Sequence, residues 1–188
     1  MQSLPEAHRI GRGEVPDVAE LERALEIFRS ICFPGFFGSR SGAERDVHGF
    51  LREAVRALQA ALVPQFERAL RSSDACAQGA PGGAHDWFGL LLAGVPQLRE
   101  LLAADAREAM AADPAARSLD EIILCYPGLS AMVAHRFASA MHALGVPLVP
   151  RMLAEIAHRR TGIDIHPGAR RSEEHTSELQ SQFRISYA

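Results

Sequence analysis

Apolar residues recur at spacings of three and four along most of this chain, which is the period of an α-helix with one buried face. The pattern runs from Asp17 to Cys32 and again from about Ala43 to Leu70, where Pro64 is expected to kink or split the helix. It resumes at Trp87, with an expected break near Gly94 to Pro96. These stretches predict a mainly α-helical fold.

Short breaks divide the rest of the helical body. They fall at Asp113-Pro114, at Tyr126-Pro127-Gly128 and at Gly145 to Pro147. The first should end a helix, because the residue before a proline is pushed out of the α region. Beyond it, Ser118 and Glu121 have the spacing of a capping box, which predicts a short helix to about Cys125. Two further helices are expected after Tyr126.

The pattern changes after Arg159. Thr161-Gly162 is a helix stop, and residues 163–169 alternate β-branched and polar side chains, which predicts a strand. Ile163 and Ala169 lie six residues apart, the length of one hexapeptide of a left-handed β-helix. Stacked repeats need about three units to bury a core, so a single one is not expected to stand alone.

The two ends of the chain differ from the helical body. Residues 1–16 are expected to be a disordered N-terminus. Residues 172–187 contain no alanine in a chain otherwise full of it, and the stretch from Arg171 resembles translated sequencing-adapter text. We therefore expect a helical domain over 17–160, a first hexapeptide over 161–170 and a non-native tail over 171–188.

Composition and charge exclude several classes of protein. The net charge of −3 over 188 residues, with both signs mixed, gives no electrostatic footprint for nucleic acid or an anionic membrane. No apolar run approaches the roughly 18 to 20 residues of a membrane span, and the first twenty residues lack the apolar core of a secretory signal. The cytoplasm is the expected location.

The cysteines and histidines give no catalytic or metal-binding pattern. Three cysteines are too few and too scattered for a disulfide framework, and Cys125 is expected to be an inert core thiol. Four histidines have side chains that metal sites and general bases use, but they lack the spacing of a zinc site. They are expected to be packing or surface residues: His135, His142, His158 and His166. No bound cofactor or metal is predicted.

Three segments carry a resemblance to a known family. They are Asp113-Pro-Ala-Ala-Arg-Ser-Leu-Asp-Glu-Ile-Ile-Leu-Cys-Tyr-Pro-Gly128, Leu144-Gly-Val-Pro-Leu-Val-Pro-Arg151, and Thr161-Gly-Ile-Asp-Ile-His-Pro-Gly-Ala169. In order and spacing they resemble serine O-acetyltransferases, at the point where helices pass into a hexapeptide β-helix. The resemblance implies a helical N-terminal domain followed by the start of a truncated left-handed β-helix.

The resemblance also implies a chemistry. The family transfers acetyl from acetyl-CoA, a co-substrate, to the hydroxyl of L-serine, with a histidine as general base. By the motif, Asp164 matches the aspartate that orients this histidine, and Asp113 matches a carboxylate of the serine pocket. Without the resemblance, Asp164 would be a turn-capping residue and Asp113 a helix-stop residue.

The expected activity of the chain itself is low. The family's catalytic histidine belongs to a Leu-Asp-His-Ala tract about one coil beyond Asp164, and this tract is absent from the sequence. The resemblance implies a homo-oligomer, a trimer or a dimer of trimers, with cysteine synthase as a possible partner of the complete enzyme. Two alternatives stay open: another hexapeptide acyltransferase, or a non-catalytic helical oligomerisation module.

Overall fold

The computed structural model describes residues 14–38, 47–72 and 83–169. Within these ranges the chain forms six α-helices and no named strand, which confirms the predicted mainly α fold. The helices are α1 (Val18–Cys32), α2 (Val47–Ser72), α3 (Ala84–Ala112), α4 (Leu119–Cys125), α5 (Pro127–Ala143) and α6 (Val149–Thr161). None of the described helices is both long and apolar enough to cross a membrane.

Parts of the expected domain organisation lie outside the described residues. These parts are the tail at 171–188 and residues 1–13 of the expected disordered N-terminus. The start of the second predicted helix, at 43–46, and Cys76 also lie outside them. The boundaries of the expected domains therefore stay predictions, whereas the helices of the body are observed.

Helix α5 is the helix around which the others pack. It lies against α6 along much of its length and also contacts α1, α3 and α4. Its Phe137 is fully buried and stacks on Phe28 of α1, with ring centroids 4.0 Å apart and ring planes inclined by 12°. An aromatic pair of this kind contributes about 0.5–1.5 kcal/mol beyond the area it buries. The hydrophobic core is thus centred on the middle of α5.

Polar contacts fix the start of α1. The carboxylate of Asp17 caps the helix by accepting from the backbone N–H groups of Ala19 and Glu20, at 2.7 and 3.2 Å. The backbone N–H of Asp17 donates to Oε1 of the buried Gln65 in α2, at 2.8 Å. An aspartate cap typically contributes about 1 kcal/mol. The same residue therefore begins α1 and ties it to α2.

Helix α3 is continuous, so the expected break near Gly94 to Pro96 is wrong. A proline inside a helix removes one backbone hydrogen bond and costs about 3 kcal/mol. Leu91 and Leu102, on either side of the proline, are buried, and each such side chain contributes about 1.5–3 kcal/mol. Packing on both sides outweighs the local cost. Helix α2 likewise passes through Pro64 as one helix.

The starts of α4 and α5 follow from local chemistry. Oγ of Ser118 accepts from the N–H of Glu121 at 3.1 Å, as the capping box predicts. The Glu121 carboxylate accepts from the N–H of Arg117 at 2.9 Å, one residue before the cap. The expected turn at Tyr126 to Gly128 is so tight that α5 already begins at Pro127. A proline suits this position because the first helical N–H has no partner within the helix.

Between α5 and α6 the chain reverses through a γ-turn. Leu148 has φ 61° and ψ −50°, and the N–H of Val149 donates to the carbonyl oxygen of Pro147 at 2.6 Å. This conformation is rare and strained for a residue with a side chain. Val149 is fully buried immediately after it, so core packing holds the strained turn in place.

An ion pair with little solvent exposure fixes α3 against α5. Nε of Arg136 donates to Oδ2 of Asp105 at 2.6 Å, and its Nη2 donates to Oδ1 at 2.7 Å. Only 9% of the Asp105 side chain and 19% of the Arg136 side chain are exposed. A bidentate pair sets direction as well as distance, so it fixes the register of the two helices.

Loss of one partner of this pair should destabilise the fold strongly. We expect Arg136→Met to lower the free energy of unfolding by about 3 kcal/mol, because the carboxylate of Asp105 stays buried without its guanidinium. The double variant Asp105→Leu/Arg136→Met should recover part of this loss. Urea unfolding followed by circular dichroism measures both. A double variant less stable than Arg136→Met would contradict this account of the pair.

Candidate functional site

Asp113 lies where α3 ends, with an extended backbone at φ −104° and ψ 105°. Pro114 favours this conformation because its ring clashes with a helical residue before it. The two carboxylate oxygens have different partners. Oδ1 accepts from the backbone N–H of Ala115 at 2.9 Å, and Oδ2 accepts from the hydroxyl of Tyr126 at 2.7 Å. The half-buried carboxylate is therefore held in one orientation.

Tyr126, the partner of Asp113, joins two helices. Its backbone N–H donates to the carbonyl of Ile122 in α4 at 3.3 Å, and its carbonyl accepts from the N–H of Ser130 in α5 at 3.2 Å. Its ring is half-buried and packs against the hydrophobic core. Because backbone and ring are both fixed, the Tyr126 hydroxyl is a rigid donor at the end of α3.

Asp164 follows the end of α6 and is exposed. The helix stops as predicted at Gly162, which has φ 75° and donates its N–H to the carbonyl of His158 at 2.8 Å. The Thr161 hydroxyl then accepts from the N–H of Ile163 at 3.2 Å. Among the described residues, the Asp164 carboxylate forms no hydrogen bond or ion pair. It is therefore open to a partner from elsewhere.

Residues 163–169 have no regular secondary structure apart from a turn at 167–168, and the part of the chain that the structure describes contains no strand there. The strand predicted for this segment is thus not formed. A strand requires backbone pairing with a neighbour, and a hexapeptide coil pairs with the next coil of its β-helix. No described segment pairs with it.

The segment after α6 contacts the helical body at two places. Ile165 packs against the core, and Gly168 lies beside the last turn of α5. A Cβ at Gly168 would lie 2.9 Å from Nε2 of His142, so only glycine fits there without movement of the ring. The rings of His142 and His166 meet edge to face, with centroids 6.0 Å apart. These contacts seat the segment that carries Asp164.

The structure does not bring the two predicted site residues into contact. Asp113 is held beside the start of α5 by Tyr126, whereas the segment after Asp164 is seated beside the end of α5. No described hydrogen bond or ion pair joins the two carboxylates. Each is placed separately by the helical body, and any ligand that touches both would have to bridge them.

A cavity of about 250 Å³ lies between α1, α5 and α6 and the end of α4, and neither aspartate lines it. Its polar lining residues are Glu26, Arg29, Ser130, Arg160 and Thr161. Burial lowers the pKa of the Arg29 guanidinium, with a further lowering by Arg160 that Glu26 opposes. Arg29 also stacks over the ring of Phe37 at 3.8 Å from its centroid. The described residues include no group of three or more metal-ligating side chains.

Known proteins resemble this chain in both sequence and fold. A plasmid-encoded serine acetyltransferase of Synechococcus elongatus is 34% identical over 163 residues, which cover 82% of this chain and 51% of that protein. A serine acetyltransferase of Synechocystis is 48% identical over 68 residues, covering 36% of this chain and 27% of the relative. No protein-family model matches the chain.

Comparison with a solved structure shows that the similarity extends to the fold. Serine acetyltransferase isoform 3 of Entamoeba histolytica, in complex with cysteine, matches with a TM-score of 0.65 and 30% identity. The match covers 83% of this chain and 50% of that one. The chain is a homologue of serine acetyltransferases. It spans about half the length of the Synechococcus relative and of the Entamoeba structure.

The cysteines of this serine acetyltransferase homologue differ from each other. Cys32 is buried, and burial raises the pKa of its thiol to about 12, with the charge of Arg99 opposing. Cys125 is exposed at the end of α4, so its expected place in the core is wrong. The apolar run around Cys125 misled the prediction because only Ile122 and Ile123 of this short helix face the core.

Thiol labelling should separate the two residues. In a Cys76→Ser background, we expect iodoacetamide to alkylate Cys125 within minutes at pH 8, whereas Cys32 reacts only after unfolding. Cys32 should stay unreactive even at pH 10, because burial raises the pKa of its thiol to about 12 and the thiol is therefore still protonated at that pH. Mass spectrometry of tryptic peptides checks this. Equal labelling of both cysteines in the folded chain would contradict it.

The structure places the four histidines in the core or at the surface. His135 is buried in α5, and the other three are exposed. His142 and His166 contact one another beside Gly168, so both rings pack at the segment after α6.

Two features of the site were missed by sequence reasoning. One is the hydrogen bond from Tyr126 to Asp113, and the other is the ion pair between Arg136 and Asp105. Asp105 lies along α3 between the apolar residues Leu102 and Ala109. The sequence signal for the ion pair is this carboxylate on an otherwise apolar helix face, because a buried carboxylate requires a cation nearby. Tyr126 gave no comparable signal because an aromatic residue beside a turn is usually explained by packing.

Proposed function

We propose that this chain supplies part of the serine-binding site of a serine O-acetyltransferase, which transfers acetyl from acetyl-CoA to the hydroxyl of L-serine in the cytoplasm. The observation that carries the proposal is the fixed, half-buried carboxylate of Asp113, in a chain homologous to serine acetyltransferases. The helical domain over 17–160 would present Asp113, and the segment over 161–170 would present Asp164.

The role proposed for Asp113 is to bind the ammonium group of L-serine. A carboxylate and an ammonium group form charge-assisted hydrogen bonds, which are about twice as strong as neutral ones. The orientation of Asp113 is set before the substrate arrives, because Ala115 and Tyr126 already hold its two oxygens. Such preorganisation reduces the entropy lost on binding.

The role proposed for Asp164 is to orient the general base. In the reaction, the serine oxygen attacks the thioester carbonyl while a neutral imidazole takes the hydroxyl proton. The carbon–sulfur bond then breaks, and the coenzyme A thiolate leaves and accepts a proton. A carboxylate on the other ring nitrogen fixes the tautomer and stabilises the imidazolium. Asp164 is exposed and has no described partner, which leaves it available for this contact.

We do not assign the general base to any of the four histidines described above. No Leu-Asp-His tract occurs in the 188 residues. His166 and His142 are occupied with packing the segment after Asp164. We therefore propose that catalysis requires a further coil carrying this tract, and that the 188-residue chain alone does not turn over serine at a normal rate.

Assembly is proposed by analogy with the family, as a homo-oligomer with cysteine synthase as a possible partner. The two alternative functions, a different hexapeptide acyltransferase and a scaffold without catalysis, gain nothing from the relatives, which are serine acetyltransferases.

Replacement of Asp113 should weaken serine binding. In the complete gene product, we expect Asp113→Asn to raise the KM for L-serine by roughly 10- to 100-fold, the loss of a hydrogen bond to a charged group. The KM for acetyl-CoA should stay the same. Asp120→Asn, an exposed aspartate in the first turn of α4, is the matched control and should change neither value. An unchanged KM for serine in Asp113→Asn would refute the role of this residue.

Replacement of Asp164 should act on turnover rather than binding. We expect Asp164→Asn to lower kcat by about 10²- to 10⁴-fold, because an amide no longer stabilises the imidazolium. The KM for L-serine should change by less than about threefold. Steady-state kinetics of the complete gene product test this. A kcat close to that of the unmodified enzyme would show that Asp164 only shapes a turn.

A further inference from the structure

We infer that Tyr126 is a positioning residue of the serine site, which holds the Asp113 carboxylate in the orientation that receives the substrate's ammonium group. The inference rests on the proposed function of Asp113. It is carried by one contact: the Tyr126 hydroxyl donates to Oδ2 of Asp113 at 2.7 Å, across thirteen residues of chain. Tyr126 would act through Asp113 and would not touch the substrate itself.

This contact is the kind that fixes a carboxylate. A hydroxyl donating to an ionised oxygen at 2.7 Å is a charge-assisted hydrogen bond. The second oxygen is held from within its own loop by the N–H of Ala115 at 2.9 Å. Two donors on different oxygens restrict rotation of the carboxyl group about its Cβ–Cγ bond. Without the Tyr126 hydroxyl, the N–H of Ala115 would hold Oδ1, and Oδ2 would lose the donor that comes from the start of α5.

The donor is itself rigid, because Tyr126 is the residue shared by the end of α4 and the start of α5. Its backbone N–H and carbonyl bond to Ile122 and Ser130 respectively. From the other side, α3 is fixed on α5 by the Asp105–Arg136 ion pair, eight residues before Asp113. Eight helical residues span about 12 Å. Asp113 is therefore located by α3 and oriented by Tyr126.

A double-mutant cycle on the complete gene product tests the inference. We expect Tyr126→Phe to raise the KM for L-serine roughly tenfold, as expected for loss of a hydrogen bond to a charged group. The kcat and the KM for acetyl-CoA should stay within about twofold of their original values. In the Asp113→Asn background, Tyr126→Phe should have no further effect on the KM for serine. If the two residues acted independently on serine binding, their effects on the KM would instead multiply.

The control variant is Ser118→Ala, which removes the side-chain cap of α4 without touching Asp113. It should lower the melting temperature while the KM for serine stays unchanged. The control thus separates a loss of α4 stability from the loss of the Tyr126 hydroxyl. Melting curves of every variant show whether each one folds. Calorimetric titration with L-serine repeats the comparison without turnover.

The possible outcomes are distinct. If Asp113→Asn leaves the KM for serine unchanged, the proposed function of Asp113 fails and the inference falls with it. If Asp113→Asn raises this KM but Tyr126→Phe does not, only the inference fails. An effect of Tyr126→Phe that persists in full in the Asp113→Asn background, or that Ser118→Ala reproduces, also overturns it.

Discussion

The ion pair between Arg136 and Asp105 is the constraint on which the placement of the site depends. It joins α3 to α5 with two hydrogen bonds of 2.6 and 2.7 Å, largely shielded from solvent. Hydrophobic packing alone is tolerant of small sliding movements between helices, whereas a bidentate pair is not. Since Asp113 lies at the end of the same α3, the ion pair determines where that carboxylate is presented. The Tyr126 hydrogen bond then determines how it is oriented.

The packing of α5 explains why one helix can serve both halves of the candidate site. Phe137 on Phe28 fixes its middle, Tyr126 precedes its first turn, and His142 in its last turn receives Gly168. Asp113 is thus held near one end of α5, and the segment that carries Asp164 is seated near the other. The two carboxylates do not meet within the described residues.

The sequence predicted the helical body well, because the apolar period, the capping box at Ser118 and the helix stop at Gly162 are local signals. The break at Pro96 was wrong because the local cost of proline was outweighed by leucines buried through tertiary packing. Cys125 was misplaced for the opposite reason, since a short helix with an apolar sequence buries only one face. The site residues came from motif resemblance, whereas Tyr126 could be found only from a contact between distant segments.

The most direct test is a crystal structure of the complete enzyme with L-serine bound. The account predicts that the serine ammonium nitrogen lies within about 3 Å of the Asp113 carboxylate, a normal hydrogen-bond distance, while the Tyr126 hydroxyl still donates to Oδ2. A serine molecule bound elsewhere, or one whose ammonium group faces no carboxylate of the helical domain, would contradict it.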